Sequence, residues 1–438
     1  MLAAPARAAI DIVRQRINKI LPIGGVRSRP NSGTWATPMT LLAEQSDAEG
    51  RSVAASGLFE FEIFTDMASA EAEWRTLERS AVMTPYQRFD WVEGLLAAGL
   101  ESADGLVVAV IRQDGRTMAL LPLVIRRRWG VRVAAMVGTE VSNSDWLMAH
   151  PDFRIDAPAL LHLLRQICAA AGGADLVTMF NQPAQWQGVD NPMLALGRVP
   201  GASNFYMATI GPTPVPYIEH RLSTKRRSNI KRGMRRLVEN HGTLRAVRVN
   251  DAETLALAHR VFLEQRGARF GEMGVRNVFA DPPFVRLFKD LAARGFGQER
   301  PAFCLHVLYA GDEIVATCWG AMAGDHYSQY INSTSSGPAA QYSLMAILNG
   351  MVMDDLTQAG IVTMDMGLGD FGYKTEWTEA VPVYHSVIPL TLRGRLAAGV
   401  LSLRASIKRQ IKQTPWLWDT AKKVRQTLHR LTSKSRDE

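Results

Sequence analysis

Between residues 364 and 377 the chain reads MDMGLGDFGYKTEW, the segment richest in groups that can move a proton or hold a charge. Alternation makes Asp365 the end of a strand; Asp370 falls in a glycine-flanked loop, and Tyr373-Lys374 follow it. A lysine ammonium stabilises a phosphate or a developing oxyanion as a point charge. Lys374 is therefore the leading catalytic candidate. Tyr373 is a candidate proton donor to a leaving group, and Asp365 and Asp370 are carboxylates that take a proton or orient the lysine. Plainer roles fit the same residues: Lys374 as a surface partner of Glu376 or Glu379, Tyr373 packed on Trp377, Asp365 capping its loop.

Two further constellations can hold anions. SSGPAAQYSLMAIL puts Ser335, Ser336 and Gly337 ahead of a helix, whose free amides and positive dipole end suit a phosphate. Gln341, Tyr342 and Ser343 stand at the helix start itself, where side chains can also obstruct a close approach. Upstream, Lys225, Arg226, Arg227, Lys231, Arg232, Arg235 and Arg236 crowd one helix, with Asn229 among them. At about 100° per residue they cover several faces, so that helix cannot be wholly buried. It either lines an anionic groove, with Lys225, Arg227, Asn229, Arg232 and the strand residue Asn332 as substrate contacts, or presents a solvated face. His306, His326 and His385 fall on different strands without a spacing such as HExxH, and no GxSxG elbow or P-loop occurs, so no metal is expected.

These groups need elements to position them, and two similar sets follow one another. FEFEIF alternates as a half-buried strand, two helices follow, and GLVVAVIRQ and RTMALLPLVIRR form a hairpin about Asp114-Gly115. ALLHLLRQICAAAGG is a helix ending in glycines and DLVTMF a buried strand. The order then repeats. The basic helix stops at Gly242, LRAVRV is a strand, Asp251 caps a helix, and DPPFVRLFKDLAARG is another helix. Three strands from 302 to 332, the helix QYSLMAILNGMVMDDLTQAG, and the strands VTMDMG and VPVYHSVIPL complete it.

At 438 residues the chain exceeds one ordinary core. The boundaries expected are an N-terminal extension at 1–57, partly disordered, units at 58–210 and 211–392, and a basic helical tail at 393–438. From Arg393 onward twelve Lys or Arg face three acidic residues, so the net charge of +8 belongs to the tail and the rest is near neutral. Leu417, Trp418, Ala421, Val424, Leu428 and Leu431 give that tail a stripe suited to a membrane surface or to packing on the core. No apolar run of 18 residues or secretory leader is read, and Cys168, Cys304 and Cys318 are too few and scattered for a disulfide framework. A cytoplasmic protein is expected, and the tail leaves open a peripheral place at the inner face of the membrane. Nucleic acid is not an expected partner, because no recognised motif accompanies the charge.

Residues 223 to 389 resemble the CelD-like group of GNAT acetyltransferases, associated with bacterial cellulose biosynthesis, and more distantly the Fem-type peptidoglycan aminoacyltransferases. Ser223, Lys225, Arg227 and Arg232 fit the family's Ser-x-Lys-x-Arg helix, and GDEIVATCWGAM runs into HYSQYINST as its hairpin does. Asp365, Gly367, Gly369, Tyr373, Lys374 and Trp377 fit its Asp-x-Gly…Tyr-Lys…Trp pattern; TPYQRFDWVEGL and ALLPL resemble its first unit. The resemblance implies an α/β (α+β) fold of tandem GNAT-like acyl-CoA N-acyltransferase units, with mixed central sheets flanked by helices. It further implies transfer from acetyl-CoA or another acyl-CoA to an amine or hydroxyl of a polysaccharide precursor, glycolipid or related small molecule. Ser335, Ser336, Gly337, Gln341, Tyr342 and Ser343 would receive the cofactor. The family's glycine before this helix is replaced here, with only Gly337 near, and that departure keeps two alternatives open: Fem-like transfer from aminoacyl-tRNA, or a non-catalytic GNAT scaffold in an exopolysaccharide complex.

Overall fold

Local signals set the element boundaries closely. The computed structural model describes residues 51–54, 59–128, 130–414 and 416–417. Asp114 and Gly115 both adopt positive φ, 53° and 74°, as a tight hairpin turn requires. Asp251 accepts the Thr254 amide at 2.8 Å to open the helix Ala252–Glu272, and Gly242, at φ 93°, ends the helix Thr224–His241.

The strands of the first half are β1 (Arg51–Ala54), β2 (Glu60–Phe64), β3 (Leu106–Gln113), β4 (Arg116–Arg128), β5 (Val131–Met136), β6 (Met148–Ala149), β7 (Leu176–Pro183), β8 (Gln185–Trp186), β9 (Val189–Asp190), β10 (Val199–Pro200) and β11 (Phe205–Thr209). Those of the second are β12 (Leu244–Arg248), β13 (Phe303–Ala310), β14 (Glu313–Ala323), β15 (His326–Thr334), β16 (Thr363–Leu368), β17 (Glu379–Val381) and β18 (Val383–Pro389). They make two large mixed sheets, ordered β1-β2-β3-β4-β5-β7-β18-β10, with β6 on β4, and β12-β13-β14-β15-β16-β11-β17.

The expected repetition is explicit in the topology. The paths β2-β3-β4-β5-β7-β18 and β12-β13-β14-β15-β16-β11 share one pattern, antiparallel throughout except for a single parallel pair, β5/β7 or β15/β16. A helix, Ala157–Ala170 or Leu344–Gln358, crosses over between the members of each parallel pair. Two helices separate β2 from β3 (Met67–Glu78, Phe89–Ala97) and β12 from β13 (Ala252–Glu272, Pro282–Arg294).

The last strand of each path is exchanged. β11, within the segment 58–210, pairs with β16 in the second sheet, and β18, within 211–392, pairs with β7 in the first. The units also share a core: Gly94 lies so close to Leu291 that a Cβ there would stand 2.9 Å from a leucine methyl. Trp91, Phe262, Phe288, Phe303 and Trp319 belong to one buried cluster.

The ends differ from expectation where tertiary pairing intervenes. Arg51–Ala54, read as part of the extension, pairs antiparallel with Glu60–Ile63. The tail's first half is a packed helix, Leu392–Gln413; Trp418 and the stripe beyond it lie outside the described residues, as do 1–50. Cys168, Cys304 and Cys318 are free and buried, and burial pushes the Cys168 and Cys318 thiols up to about 12 and about 11. Among the described residues no helix is long and apolar enough to cross a membrane.

Candidate functional site

β15 and β16 stay in parallel register only at His326↔Thr363, Tyr327↔Met364 and Ser328↔Asp365. Beyond that point β15 follows β14, and β16 follows β11 as far as Phe205↔Leu368, so the two strands part. An irregularity in the β14/β15 register, where Gly320 faces Gln329 but Trp319 faces Ile331, leaves Tyr330 as the extra residue and bends β15 at the parting. Gly367, at φ 68°, allows the last close approach: a Cβ there would stand 3.1 Å from the Asn143 amide nitrogen and 3.3 Å from the Gln329 carbonyl oxygen.

A buried polar chain lies beneath the split. The His326 ring bridges Thr363 Oγ1 and Asp365 Oδ2, each at 2.8 Å. Asp365 Oδ1 accepts the Ser328 hydroxyl at 3.0 Å and the Gly367 amide at 2.6 Å. Ser328 Oγ is 2.7 Å from the Tyr86 hydroxyl, which accepts from Asn143 Nδ2 at 2.7 Å. The Trp186 ring stands edge-on to His326, with centroids 4.5 Å apart. Three first-unit residues thus close the second unit's network. Asp365 is wholly buried with both oxygens engaged, an arrangement that fixes β16 and leaves no lone pair facing a substrate.

Lys374 is not a surface lysine. It is 3% exposed, and its Nζ donates to the carbonyls of Leu368 at 2.9 Å and Gly367 at 3.3 Å. Its suggested partners are taken elsewhere: Glu376 pairs with Arg226 at 2.8 Å and Glu379 with Arg221 at 3.3 Å. Burial lowers the ammonium to about 8, while the charges of Asp365 and Asp370 pull the other way. Asp370 ties the loop down, accepting from the Asn204 amide at 3.2 Å and the Tyr206 hydroxyl at 3.0 Å. Tyr373 is 41% exposed and stacks on Phe371, not on Trp377. Burial of its hydroxyl side raises Tyr373 above the ordinary value, and Asn332 and Arg266 beside it act in the opposite direction.

The segment expected to receive an anion leads into the crossover helix of the second unit. A short turn, Pro338–Tyr342, precedes Leu344–Gln358, whose N-cap Ser343 is left-handed (φ 58°) and makes no side-chain cap. Among the described residues the first amides of this helix to find an acceptor are those of Ala346 and Ile347, both on the Ser343 carbonyl. Ser335 Oγ accepts the Gly337 amide at 3.1 Å; Ser336 and Gln341 are exposed. The basic helix packs directly on this turn: a Cβ at Gly233 would stand 2.8 Å from the Tyr342 carbonyl oxygen, and Asn240 donates to the Tyr342 hydroxyl at 3.1 Å. At helical spacing Asn229 and Arg236 share Gly233's face, with exposed Arg232 beside it. Its first turn points elsewhere. Lys225 is exposed, and Arg227 is held by Glu219, which Lys231 also engages. Arg226 and Gly233, which touch the Lys374 helix and the Tyr342 turn respectively, are about 10 Å apart along the axis.

The equivalent helix of the first unit is closed. Asp156 caps Ala157–Ala170, its carboxylate accepting the Ala159 amide at 2.8 Å, so a negative charge already occupies the place an anion would take.

Sequence reading missed His326, Ser328, Tyr86, Asn143 and Arg266. His326 and Ser328, two apart on one strand, were legible as sharing a face, but their partners were not. Arg266, on Ala252–Glu272, lies 4.4 Å from the Phe270 ring centroid, with no hydrogen-bond partner for Nε among the described residues; burial lowers it to about 10.

Residues 224–375 match the family described as acetyltransferase (GNAT) domain, so the chain carries a GNAT-type, acyltransferase-like domain there. Among solved structures, FemX has the same fold with a TM-score of 0.51 at 12% identity, over 76% of this chain and 98% of FemX. A C-terminal domain of a protein described as a lysylphosphatidylglycerol synthetase, from Agrobacterium fabrum, aligns at TM-score 0.47 and 13% identity over 78% of this chain and 97% of its own. A tandem GNAT protein from the clavulanic acid biosynthesis pathway aligns at 0.41 and 12%, over 76% and 98%. No curated protein matches the chain.

Proposed function

We propose that the second unit transfers an acyl group from a coenzyme A thioester directly to an amine or hydroxyl of a polysaccharide precursor, glycolipid or related small molecule. The carrying observation is an uncapped helix N-terminus at the mouth of a strand split, packed against an arginine-bearing helix, while the first unit's counterpart is closed by Asp156. The pantetheine arm would lie along the free edge of β15 beyond Gln329, and the pyrophosphate at Leu344 with Arg232 and Arg236 near it. The nucleophile attacks the thioester carbonyl, the Lys374 ammonium faces the oxyanion, the C–S bond breaks, and Tyr373 passes a proton to the thiolate while the acceptor's proton replaces it. Arg266, without a carboxylate partner among the described residues, fits an acceptor that carries a phosphate or carboxylate.

Calorimetry with coenzyme A, acetyl-CoA and longer acyl-CoAs tests this. Binding with coenzyme A release on adding acceptor is expected; no heat and no thermal shift at saturation would overturn it. Fem-like aminoacyl transfer is the second reading, favoured by the fold shared with FemX. Labelled acetyl-CoA and labelled aminoacyl-tRNA offered side by side separate the two. The CelD-like and exopolysaccharide refinement rests on the Asp365–Trp377 segment and the basic helix.

A further inference from the structure

The helix Leu392–Gln413 is fixed at both ends. At its start Thr391 Oγ1 donates to Asp175 Oδ1 at 2.7 Å, and any side chain at Gly394 would run into the Asp175 carbonyl. At its end Arg409 donates to the Gly201 carbonyl at 2.6 Å, Lys412 to Ser203 Oγ at 3.0 Å, and Gln413 to the Ala202 carbonyl at 3.3 Å. A helix held this way has a settled outer face.

That face is apolar. Leu392, Leu396, Val400, Leu403 and Ile407 are 76%, 78%, 60%, 62% and 46% exposed, at spacings of four, four, three and four. They are five of the twelve large apolar residues exposed among the described ones; a sixth, Trp416, follows just beyond the helix. Such a row is a single stripe, unlike the scattered exposed apolar residues of an ordinary surface. Arg393 and Arg404 flank it on one side and Arg395 on the other, and no Asp or Glu occurs from 392 to 413.

We propose that this stripe docks on an anionic lipid surface, the helix lying in the plane of the headgroups with its leucines in the acyl boundary and Arg393 and Arg395 on the phosphates. Charge decides between occupants. A second copy of the helix would bring the arginines that flank the stripe against their own copies with no acidic residue to meet them, and residues 1–30 of this chain are themselves basic, with six Lys or Arg against Asp11. A bilayer containing acidic phospholipid complements both parts of the face, and the basic residues that follow in the sequence add to the attraction. Among the described residues no helix is long and apolar enough to cross a membrane, so the occupant proposed is the surface of a bilayer and not its interior. Docking also concerns the catalytic unit, because Gln413 reaches Asp370 Oδ2 at 3.4 Å, in the loop that precedes Lys374. The placement stands whether or not that unit transfers an acyl group.

Flotation of the full chain with vesicles tests it without any acyl donor. Vesicles of phosphatidylcholine with about one-third phosphatidylglycerol should carry the protein, and pure phosphatidylcholine vesicles at least 10-fold less of it. High salt should weaken binding without abolishing it. Leu396→Ser with Val400→Ser and Leu403→Ser, all outward and free of packing cost, should lower binding at least 10-fold with an unchanged circular dichroism spectrum; Arg393→Gln with Arg395→Gln should lower it less. Equal flotation of the triple variant, or none by the wild type, overturns the proposal. So does a wild-type dimer that the triple variant converts to monomer, which would assign the stripe to a second copy.

Discussion

Lys374 Nζ sits 2.9 Å from the Leu368 carbonyl oxygen, and both Gly367 and Leu368 accept its protons while burial lowers it to about 8. Two protons are thus committed to the backbone, and the ammonium lies 5.4 Å from the Tyr206 ring centroid and 5.5 Å from that of Phe371. Lys374→Met is expected to fold and to lose about 100-fold or more in kcat, as removal of an oxyanion donor does; Lys374→Arg should not restore it, because the fork does not fit a point-charge site. If the ammonium is the working form, wild-type kcat falls as pH rises through about 8. The stability effect has the opposite sense. The folded value lies below 10.5, so the group's contribution is present above 10.5 and lost as pH falls through about 8. The stability of the Met variant relative to wild type, read from denaturation midpoints, should therefore be greater at pH 7 than at pH 10.5.

Gly233→Val tests the contact between the basic helix and the Tyr342 turn. Its Cβ would start 2.8 Å from a backbone oxygen, so helix or turn must move. Acyl-CoA affinity should fall about 10-fold, near 1.4 kcal/mol, in a titration of Kd. Gly271→Ala, with nothing within 4 Å of its Cβ, should leave Kd unchanged.

Asp156→Ala opens the closed helix end of the first unit. Loss of a cap costs about 1 kcal/mol of stability, read as a lower denaturation midpoint, while Kd for acyl-CoA and kcat should hold. A clear change in Kd would assign a donor site to the first unit instead.

Asp145 is buried with Oδ2 accepting the Thr139 hydroxyl and the Phe180 amide, each at 2.6 Å, and burial raises it from 3.8 to about 7. A raised carboxyl contributes stability that is full below 3.8 and is lost as pH rises to about 7. Asp145→Asn keeps an oxygen for both donors and removes the charge. Its midpoint gain over wild type should be larger at pH 8 than at pH 5, and a gain independent of pH would refute the assignment.

Much of the fold was legible because its instructions are local. Gly242, Asp251, the Asp114-Gly115 turn and the alternation of FEFEIF each act within a few residues, and the elements stand where those residues put them. Pairing is not local. Nothing in VPVYHSVIPL distinguishes a strand beside β16 from one beside β7, and nothing near Asp365 announces His326 or Tyr86. Lys374 was legible as chemistry but not as a buried group, because its surroundings include the Tyr206 ring of the distant strand β11 and depend on where Glu376 and Glu379 find their arginines. Arg266 had no signal at all on a helix whose arginines are mostly solvated.

The trade of β11 for β18 means that neither half is a self-sufficient piece of chain. Cutting the gene after residue 210 would deliver a first fragment with β7 bare along one edge and carrying a strand that belongs to the other. A second fragment would have the complementary defect. Each raw edge would invite a neighbour's strand, so severed halves should recombine when made together and precipitate when made apart. A chain whose halves are locked in this manner cannot lose either one and leave the other folded.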